Sequence, residues 1–239
     1  MNKQKLVRFI NKYYLNGTVN SVILNSNSNK LSARFISGDK TLLGELEMDK
    51  WQFEDSEVGI YNTEQLLKLL SVLDEDVNVS ISKAGDKSIA LKVTDAFSSV
   101  NYMLSDVSII NRPPRLKEIP EFEVKIDVTP QFVNKFIAGK GALAETDNFT
   151  VLTDGSNTKL VIGYAAINTN RVTLPVTTSQ SSNIDNVSFN ANIFKEVLTA
   201  NKECEIATLE VSSEGLAKIV FKIDDFSVIY LLVAVTDVD

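Results

Sequence analysis

Four amphipathic segments recur along this 239-residue chain, beginning near residues 2, 63, 129 and 191. Each places apolar side chains three or four residues apart, which predicts a helix with one buried face. The spacing between them is roughly 60 residues, a period that indicates repeated structural units. Apolar and polar residues alternate between the helices, as at 77–81 and 122–128, and predict strands. The repeat predicts an α+β fold of two similar tandem domains, each with two helices over antiparallel sheets.

The predicted boundary between the domains lies in residues 111–120, which hold three of the five prolines. Proline fixes φ and removes a backbone donor, so this segment is expected to be an extended connector. We therefore predict a first domain over residues 1–110, a connector over 111–120 and a second domain over 121–239.

The composition excludes several kinds of chemistry. The chain has no histidine and a single cysteine, Cys204. This removes histidine-dependent nucleophilic catalysis, histidine metal sites, cysteine zinc cages and an intrachain disulfide. We expect no catalytic residue, no metal and no cofactor, and hence no enzyme. No signal peptide or membrane-spanning run is recognisable, so a soluble intracellular protein is expected.

Charge is distributed unevenly between the helices and the rest of the chain. The chain carries 24 basic and 31 acidic residues, a net charge of −7. The four helical segments hold nine basic and two acidic residues, whereas the remaining residues hold 15 and 29. A basic face on one helix is usually only a solvated surface. Four helices of the same sign in an acidic protein indicate a polyanionic partner.

Several segments carry a resemblance to a known family. They are residues 60–81, the connector with the following residues 124–126, and the closing run 228–234. In these segments and in its organisation the chain resembles the DNA sliding clamps of T4-like bacteriophages. The resemblance implies a head-to-tail homotrimer, closed into a ring that surrounds double-stranded DNA and tethers the DNA polymerase. It also implies a clamp loader, a link to late viral transcription and a location in the cytoplasm of the infected bacterium.

Three sets of site residues follow from this hypothesis. Basic helix residues are expected to face the channel and contact phosphates: Lys5, Arg8, Lys12, Lys68, Lys135, Lys140, Lys195 and Lys202. Apolar anchors of partner peptides are expected beside the connector, at Ile110, Pro113, Leu116, Ile119, Leu232 and Ala234. The subunit interface is expected at two edge strands, residues 98–104 and 170–176, with Val100, Tyr102, Leu104, Val172 and Leu174. Each set has a plainer alternative. The basic residues would form only a solvated helix face, the apolar anchors would be ordinary linker and core residues, and the two strands would be an interior pair.

Two other classes of function remain compatible with the sequence. Tandem β-rich domains and an acidic surface also suit a phage structural or assembly protein. Such a role does not explain why positive charge is concentrated on four helices. A carboxylate-dependent hydrolase would have many carboxylates to choose from, yet the sequence marks out no pair. The non-enzymatic sliding clamp is the favoured hypothesis.

Overall fold

The chain divides into two compact units. A computed structural model describes residues 2–116, 118–165, 167 and 169–235. The first unit contains the chain up to Gly38 together with Gly44–Pro113, and the second contains Asp39–Leu43 together with the chain from Pro114 onward. The predicted domain bounds at residues 110 and 121 stay a prediction.

Four α-helices form where the apolar periodicity predicts them. They are Lys3–Tyr14 (α1), Thr63–Leu70 (α2), Pro130–Ala142 (α3) and Ala191–Ala200 (α4). Each begins after a side chain whose oxygen accepts a backbone N–H of the first turn, from Asn2, Asn62, Thr129 and Asn190 respectively. The second helix ends before its predicted end at Leu73, because the N–H groups of Val72 and Leu73 bond three residues back and tighten the chain into a turn.

The first unit contains two antiparallel groups of strands. Its strands are Val22–Asn27 (β1), Lys30–Ile36 (β2), Leu42–Asp49 (β3, whose first two residues belong to the second unit), Ser56–Ile60 (β4), Asn78–Ala84 (β5), Lys87–Thr94 (β6) and Ser99–Met103 (β7). Their orders are β3-β2-β1-β4 and β5-β6-β7. Strand β1 pairs antiparallel with β2 and β4, and β6 pairs antiparallel with β5 and β7.

The second unit repeats this arrangement. Its strands are Val124–Val128 (β8), Asn148–Thr153 (β9), Thr158–Ile162 (β10), Val172–Pro175 (β11), Thr178–Gln180 (β12), Val187–Asn190 (β13), Ala207–Val211 (β14), Leu216–Ile223 (β15) and Phe226–Val233 (β16). Their orders are β12-β8-β14-β15-β16 and β11-β10-β9-β13. The predicted α+β class, with two helices and antiparallel sheets in each unit, is confirmed.

Aromatic side chains hold the helices of the second unit onto its sheet. Phe136 of α3 and Phe194 of α4 lie 4.9 Å apart between ring centroids. Both rings contact Phe149 of β9, at 5.3 and 4.9 Å. All three are almost completely buried, and burial of one such side chain contributes about 1.5–3 kcal/mol. Packing therefore uses the apolar faces of α3 and α4 and leaves their polar faces outward.

Candidate functional site

The predicted DNA-binding residues of α1, Lys5, Arg8 and Lys12, are only partly exposed. Lys5 and Arg8 are half-buried, and the Lys5 ammonium donates to the last backbone carbonyl of β3 at 3.1 Å. Lys12 is fully buried, as are Phe9 and Tyr13, its neighbours on the helix. Lys5 and Lys12 are seven residues apart and lie on nearly the same side of α1, so tertiary packing rather than helix geometry buries Lys12. The exposure expected for Lys12 is not found, so Lys12 leaves the candidate DNA-binding set.

Two of the predicted basic residues lie close to carboxylates of their own helices. Lys68 pairs with Glu64, one turn earlier on α2, at 2.5 Å, and this partner raises the pKa of Lys68. Lys195 of α4 lies 3.5 Å from the carboxylate of Glu196. The Lys68–Glu64 pair is largely exposed, and such pairs are weak because water screens them. A phosphate group can therefore replace Glu64 as the partner of Lys68.

The two lysines of α3 have different environments. Lys135 is exposed. Lys140 is only 4% exposed, and its ammonium donates to the backbone carbonyls of Leu143 and Ala144, at 3.3 and 2.8 Å. These carbonyls follow the end of α3, where backbone acceptors lack helical partners and a cation is favourable. Lys140 is therefore a capping residue, and it too leaves the DNA-binding set.

Six of the eight predicted basic residues are exposed or half-buried. Lys202 is exposed two residues beyond the end of α4. Within the described ranges, neither Lys135 nor Lys202 forms an ion pair. A phosphate can therefore approach these two exposed side chains without replacing an ion-pair partner. The remaining set is Lys5, Arg8, Lys68, Lys135, Lys195 and Lys202.

Exposed amides on the helices were missed by the charge count. Asn11 of α1, Gln65 of α2 and Asn134 of α3 are exposed. Amide side chains donate to phosphate oxygens, as basic residues do, and they fix position without reading sequence. These amides are identified by their exposure on helices that also carry basic residues. That exposure is known only once the structure shows which face of each helix is packed.

The start of the connector is fixed to the first unit. Ile110 is 5% exposed and lies against Gly59 of β4, where a side chain larger than hydrogen would meet its Cδ1 atom at 2.9 Å. Arg112 donates to both carboxylate oxygens of Glu57, at 3.1 and 3.0 Å. Pro113 is half-buried. Ile110 is thus a core residue, as the plainer alternative has it, rather than an open anchor position.

The other predicted partner-binding residues lie in the second unit. Leu116 and Ile119 are exposed, at 44% and 56%. Leu232 of β16 is buried, at 2%, and pairs with Ala217 of β15. Ala234 is half-buried, and its N–H donates to a backbone carbonyl at 2.8 Å. Leu116 and Ile119 are therefore the two large apolar side chains of this set that a partner can reach.

The two strands expected at the subunit interface both lie at sheet edges. Strand β7 has β6 as its neighbour, and β11 has β10. Val100 and Tyr102 of β7 nevertheless point inward, at 9% and 5% exposure, and the Tyr102 hydroxyl accepts the N–H of Asn62 at 2.9 Å. The side chains of Val100 and Tyr102 pack in the core of the first unit, so at these two residues only the backbone is accessible to a partner strand. Side chains exposed along β7 are those of alternate residues, Asn101 and Met103 among them.

Three members of this set are half-buried. Leu104, just after β7, and Val172 and Leu174 of β11 are half-buried. The backbone of β11 bonds to β10 on one side. Its other side presents unpaired donors and acceptors within the described part of the sheet, a feature that normally needs a cover or a partner strand.

No group of three or more histidine, cysteine, aspartate or glutamate side chains among the described residues is arranged to hold a metal ion. Among the described helices, none combines the length and the apolar composition that a membrane span requires.

The comparisons with known proteins identify the fold. No family model matches the sequence, and no curated protein matches it. A crystal structure of proliferating cellular nuclear antigen (PCNA) from Entamoeba histolytica matches with a TM-score of 0.76 and 14% identity, over 99% of this chain and 97% of that chain. PCNA of A. fulgidus, bound to the C-terminal region of FEN-1, matches with a TM-score of 0.77 and 14% identity, over 100% and 98%. The chain therefore has the fold of these PCNA structures.

Proposed function

We propose that this chain is a DNA sliding clamp, of which three copies close head to tail into a ring around double-stranded DNA and tether a DNA polymerase. The observation that carries the proposal is the likeness to two PCNA structures over 99% and 100% of this chain. Likeness of that extent includes both units rather than one shared motif. A head-to-tail contact generates a ring when the rotation between copies closes.

The charge distribution supports a role on DNA. The helices carry the excess of basic residues, while the remainder of the chain is strongly acidic. Phosphates attract lysine and arginine without regard to base sequence, so the ring would slide. An acidic exterior would keep DNA from binding the wrong surface. Retention would come from the closed ring, and tight binding would not be needed.

The proposed partner surface is the second part of the connector. Leu116 and Ile119 present apolar side chains to solvent, and such side chains serve as anchors for short peptides. The A. fulgidus PCNA structure holds the C-terminal region of FEN-1, which supports peptide capture by a protein of this fold. A DNA polymerase and a clamp loader are the proposed partners of this chain.

The finer assignment is to the clamps of T4-like bacteriophages. It is supported by the resemblance in residues 60–81, 124–126 and 228–234. This assignment would place the protein in the cytoplasm of an infected bacterium. It would also extend the role of the ring to late viral transcription.

Topological retention on DNA tests the proposed function. The protein is mixed with a closed circular plasmid, neighbouring copies are joined by an amine-reactive cross-linker, and high salt removes electrostatically bound protein. We expect cross-linked protein to stay on the closed plasmid and to leave when a restriction enzyme linearises it. Complete release by salt before linearisation would contradict the ring and favour the structural-protein alternative.

A matched set of variants tests the DNA-facing side chains. Lys135→Ala and Lys202→Ala are expected to weaken DNA binding and to reduce its dependence on salt. Lys222→Ala is the control. Lys222 is exposed on β15, so this substitution removes the same charge at a position outside the helices. Equal DNA binding by all three variants would exclude Lys135 and Lys202 from the DNA contact.

A further inference from the structure

Strand β5 is an uncovered sheet edge in the first unit. It pairs with β6 on one side, and its other side has no strand neighbour among the described residues. One isolated bridge, between Asn2 and Asp76, lies two residues before the strand begins. An edge strand presents unpaired backbone donors and acceptors, which can bond to a strand of another chain. We call the side of Asn78–Ala84 that faces away from β6 the β5 edge.

The second unit covers the corresponding position. Strand β14 follows the second helix of its unit and pairs antiparallel with the next strand, as β5 does in the first unit. The other side of β14 is paired with β8 along its whole length. Ala207, Leu209 and Val211 of β14 are buried, whereas Val79 and Ile81 of β5 are half-buried. The first unit therefore leaves apolar surface of β5 accessible where the second unit covers it.

Val79 of β5 also lines an apolar pocket. The other walls come from α1, β1, β2, β4 and β6, and from the segment between β3 and β4, which contributes Trp51 and Phe53. Glu54 of the same segment pairs with Lys83 of β5 at 2.7 Å, so this segment lies next to the strand. The free volume is about 20 Å³, room for roughly one water-sized group. We call it the Trp51 pocket, and it has space for the tip of one aliphatic side chain.

Two buried polar atoms at the Trp51 pocket have no hydrogen-bond partner within the described part of the chain. They are Oγ of Ser26 and Nε1 of Trp51, and both residues line this pocket. A buried polar group without a partner is unfavourable by about 1–3 kcal/mol. The indole N–H is a donor, and the hydroxyl can donate or accept. The carbonyl and N–H groups of a peptide backbone can satisfy both, which favours a peptide over a purely apolar ligand.

The charges on the neighbouring strand indicate the composition of such a peptide. In the second unit, Glu210 of β14 lies between Lys125 of β8 and Lys218 of β15, at 3.6 and 2.8 Å. In the first unit, Ser80 of β5 lies opposite Lys92 of β6. Lys92 is exposed and forms no ion pair in the described ranges. An acidic residue on a strand added beside Ser80 would supply the counter-charge, because the flexible lysine stem can extend past a short serine side chain.

We propose that the β5 edge binds an extended segment of a partner protein as an added antiparallel strand, with an aliphatic side chain in the Trp51 pocket and an acidic residue that pairs with Lys92. Strand addition takes its affinity from backbone hydrogen bonds and its specificity from side chains at alternate positions. The partner segment therefore alternates apolar and acidic residues. The site lies wholly within the first unit, so it does not depend on the ring, and it is separate from the proposed anchors Leu116 and Ile119.

A peptide based on β8 provides the probe. It has the sequence of residues 122–128 with Lys125→Glu, so that acidic residues alternate with apolar ones. We expect it to bind with a dissociation constant below about 1 mM and to change the fluorescence of Trp51, the single tryptophan. Hydrogen exchange should slow in β5 and stay unchanged in β14. A control peptide, with the same residues ordered so that the acidic ones are adjacent, should do neither.

Charge reversal on both partners tests the contact of Lys92. In Lys92→Glu we expect the affinity for the acidic peptide to fall about fivefold. The affinity for the unaltered 122–128 sequence, whose central residue is lysine, should rise. Lys222→Glu, at an exposed position of β15, is the matched control that should change neither affinity.

A change in the peptide tests the Trp51 pocket. Replacement of the isoleucine of the peptide by threonine should weaken binding about tenfold, since it removes apolar surface from the contact. Because the substitution is in the peptide, the protein keeps its fold. Equal affinity of the two peptides would overturn the assignment of an aliphatic anchor to the pocket.

The remaining outcomes separate the possible occupants of the β5 edge. If neither Trp51 fluorescence nor β5 exchange responds up to about 1 mM peptide, the proposal is overturned. A change in β14 exchange without one in β5 would show that the peptide replaces β8, and would overturn it too. Protection of β5 that grows with protein concentration in the absence of peptide would assign the edge to a second copy of this chain instead. Protection of β5 by the peptide, with reversed charge preference in Lys92→Glu, would support the proposal whether or not the chain forms a ring.

Discussion

The guanidinium of Arg112 donates to both carboxylate oxygens of Glu57, at 3.1 and 3.0 Å. The pair joins the first residues of the connector to β4, and the buried side chain of Ile110 lies just before it in the chain. The carboxylate also raises the pKa of Arg112. The connector therefore starts as a fixed segment, although its composition is that of an extended linker.

Removal of the Glu57 carboxylate should loosen the start of the connector. In Glu57→Ala we expect the N–H of Ile110 to exchange with solvent a few-fold faster, because Arg112 no longer holds the backbone in place. Hydrogen exchange followed by mass spectrometry measures this. Glu47→Ala is the control, since Glu47 pairs with Lys30 at 3.5 Å on the neighbouring strands. Equal exchange in the two variants would contradict a fixing role for the pair.

A methyl group at Gly44 should destabilise the first unit. An ideal Cβ atom there would lie 2.1 Å from Cζ of Phe35, which is 1% exposed and unable to move freely. We expect Gly44→Ala to lower the free energy of unfolding by about 1–3 kcal/mol. Gly38→Ala serves as control, because a Cβ atom there meets nothing within 4 Å. Urea unfolding curves measure both, and an unchanged midpoint for Gly44→Ala would show that Phe35 repacks.

The lysines of α3 should separate stability from DNA binding. Lys140→Met removes the donor to Leu143 and Ala144 and should lower the free energy of unfolding by about 1–3 kcal/mol, with DNA affinity little changed. Lys135→Met should leave stability unchanged and reduce the salt dependence of DNA binding by roughly one phosphate contact per copy. Urea unfolding and fluorescence anisotropy at several salt concentrations are the measurements. The reverse pattern would return Lys140 to the DNA-binding set.

Acid should weaken the turn between β6 and β7. The Asp95 carboxylate accepts hydrogen bonds from the backbone N–H groups of Asp74 and Phe97. These bonds, the one from Asp74 most of all, lower the pKa of Asp95 below its ordinary value of 3.8. The ionised form therefore stabilises the fold above that value, and this contribution is lost as the pH falls through the lower, folded pKa. Asp95→Asn should lower the free energy of unfolding at about pH 7 and change it little at about pH 2. An equal loss at both values would show that charge is not the cause.

The fold could be predicted because its helices and strands follow local rules. The apolar spacing in 63–73 and the oxygen-bearing side chains of Asn62 and Asn190 mark helix starts that the structure confirms. Repetition of the same pattern along the chain predicted the two units. The end of α2 was missed, because the turn at Val72 and Leu73 depends on hydrogen bonds that periodicity does not reveal.

The candidate site could be predicted less well, because a charge count does not reveal side-chain environment. Lys12 and Lys140 have the same charge as Lys135, yet one is buried beside aromatic residues and one caps a helix. The edge strands were placed correctly in the chain, but alternation alone does not say that Tyr102 faces inward. Burial and hydrogen bonding, which depend on tertiary packing, decide these roles.

The native mass is the measurement that tests the proposed ring most directly. One copy has a mass of 26.4 kDa, so a closed ring of three copies predicts a mass of about 79 kDa at high protein concentration. Dissociation on dilution would follow from mass action and is expected of a weakly closed ring. Sedimentation equilibrium over a concentration series should therefore show a transition between these two masses, or the trimer alone. A single-copy mass at every concentration would contradict the clamp.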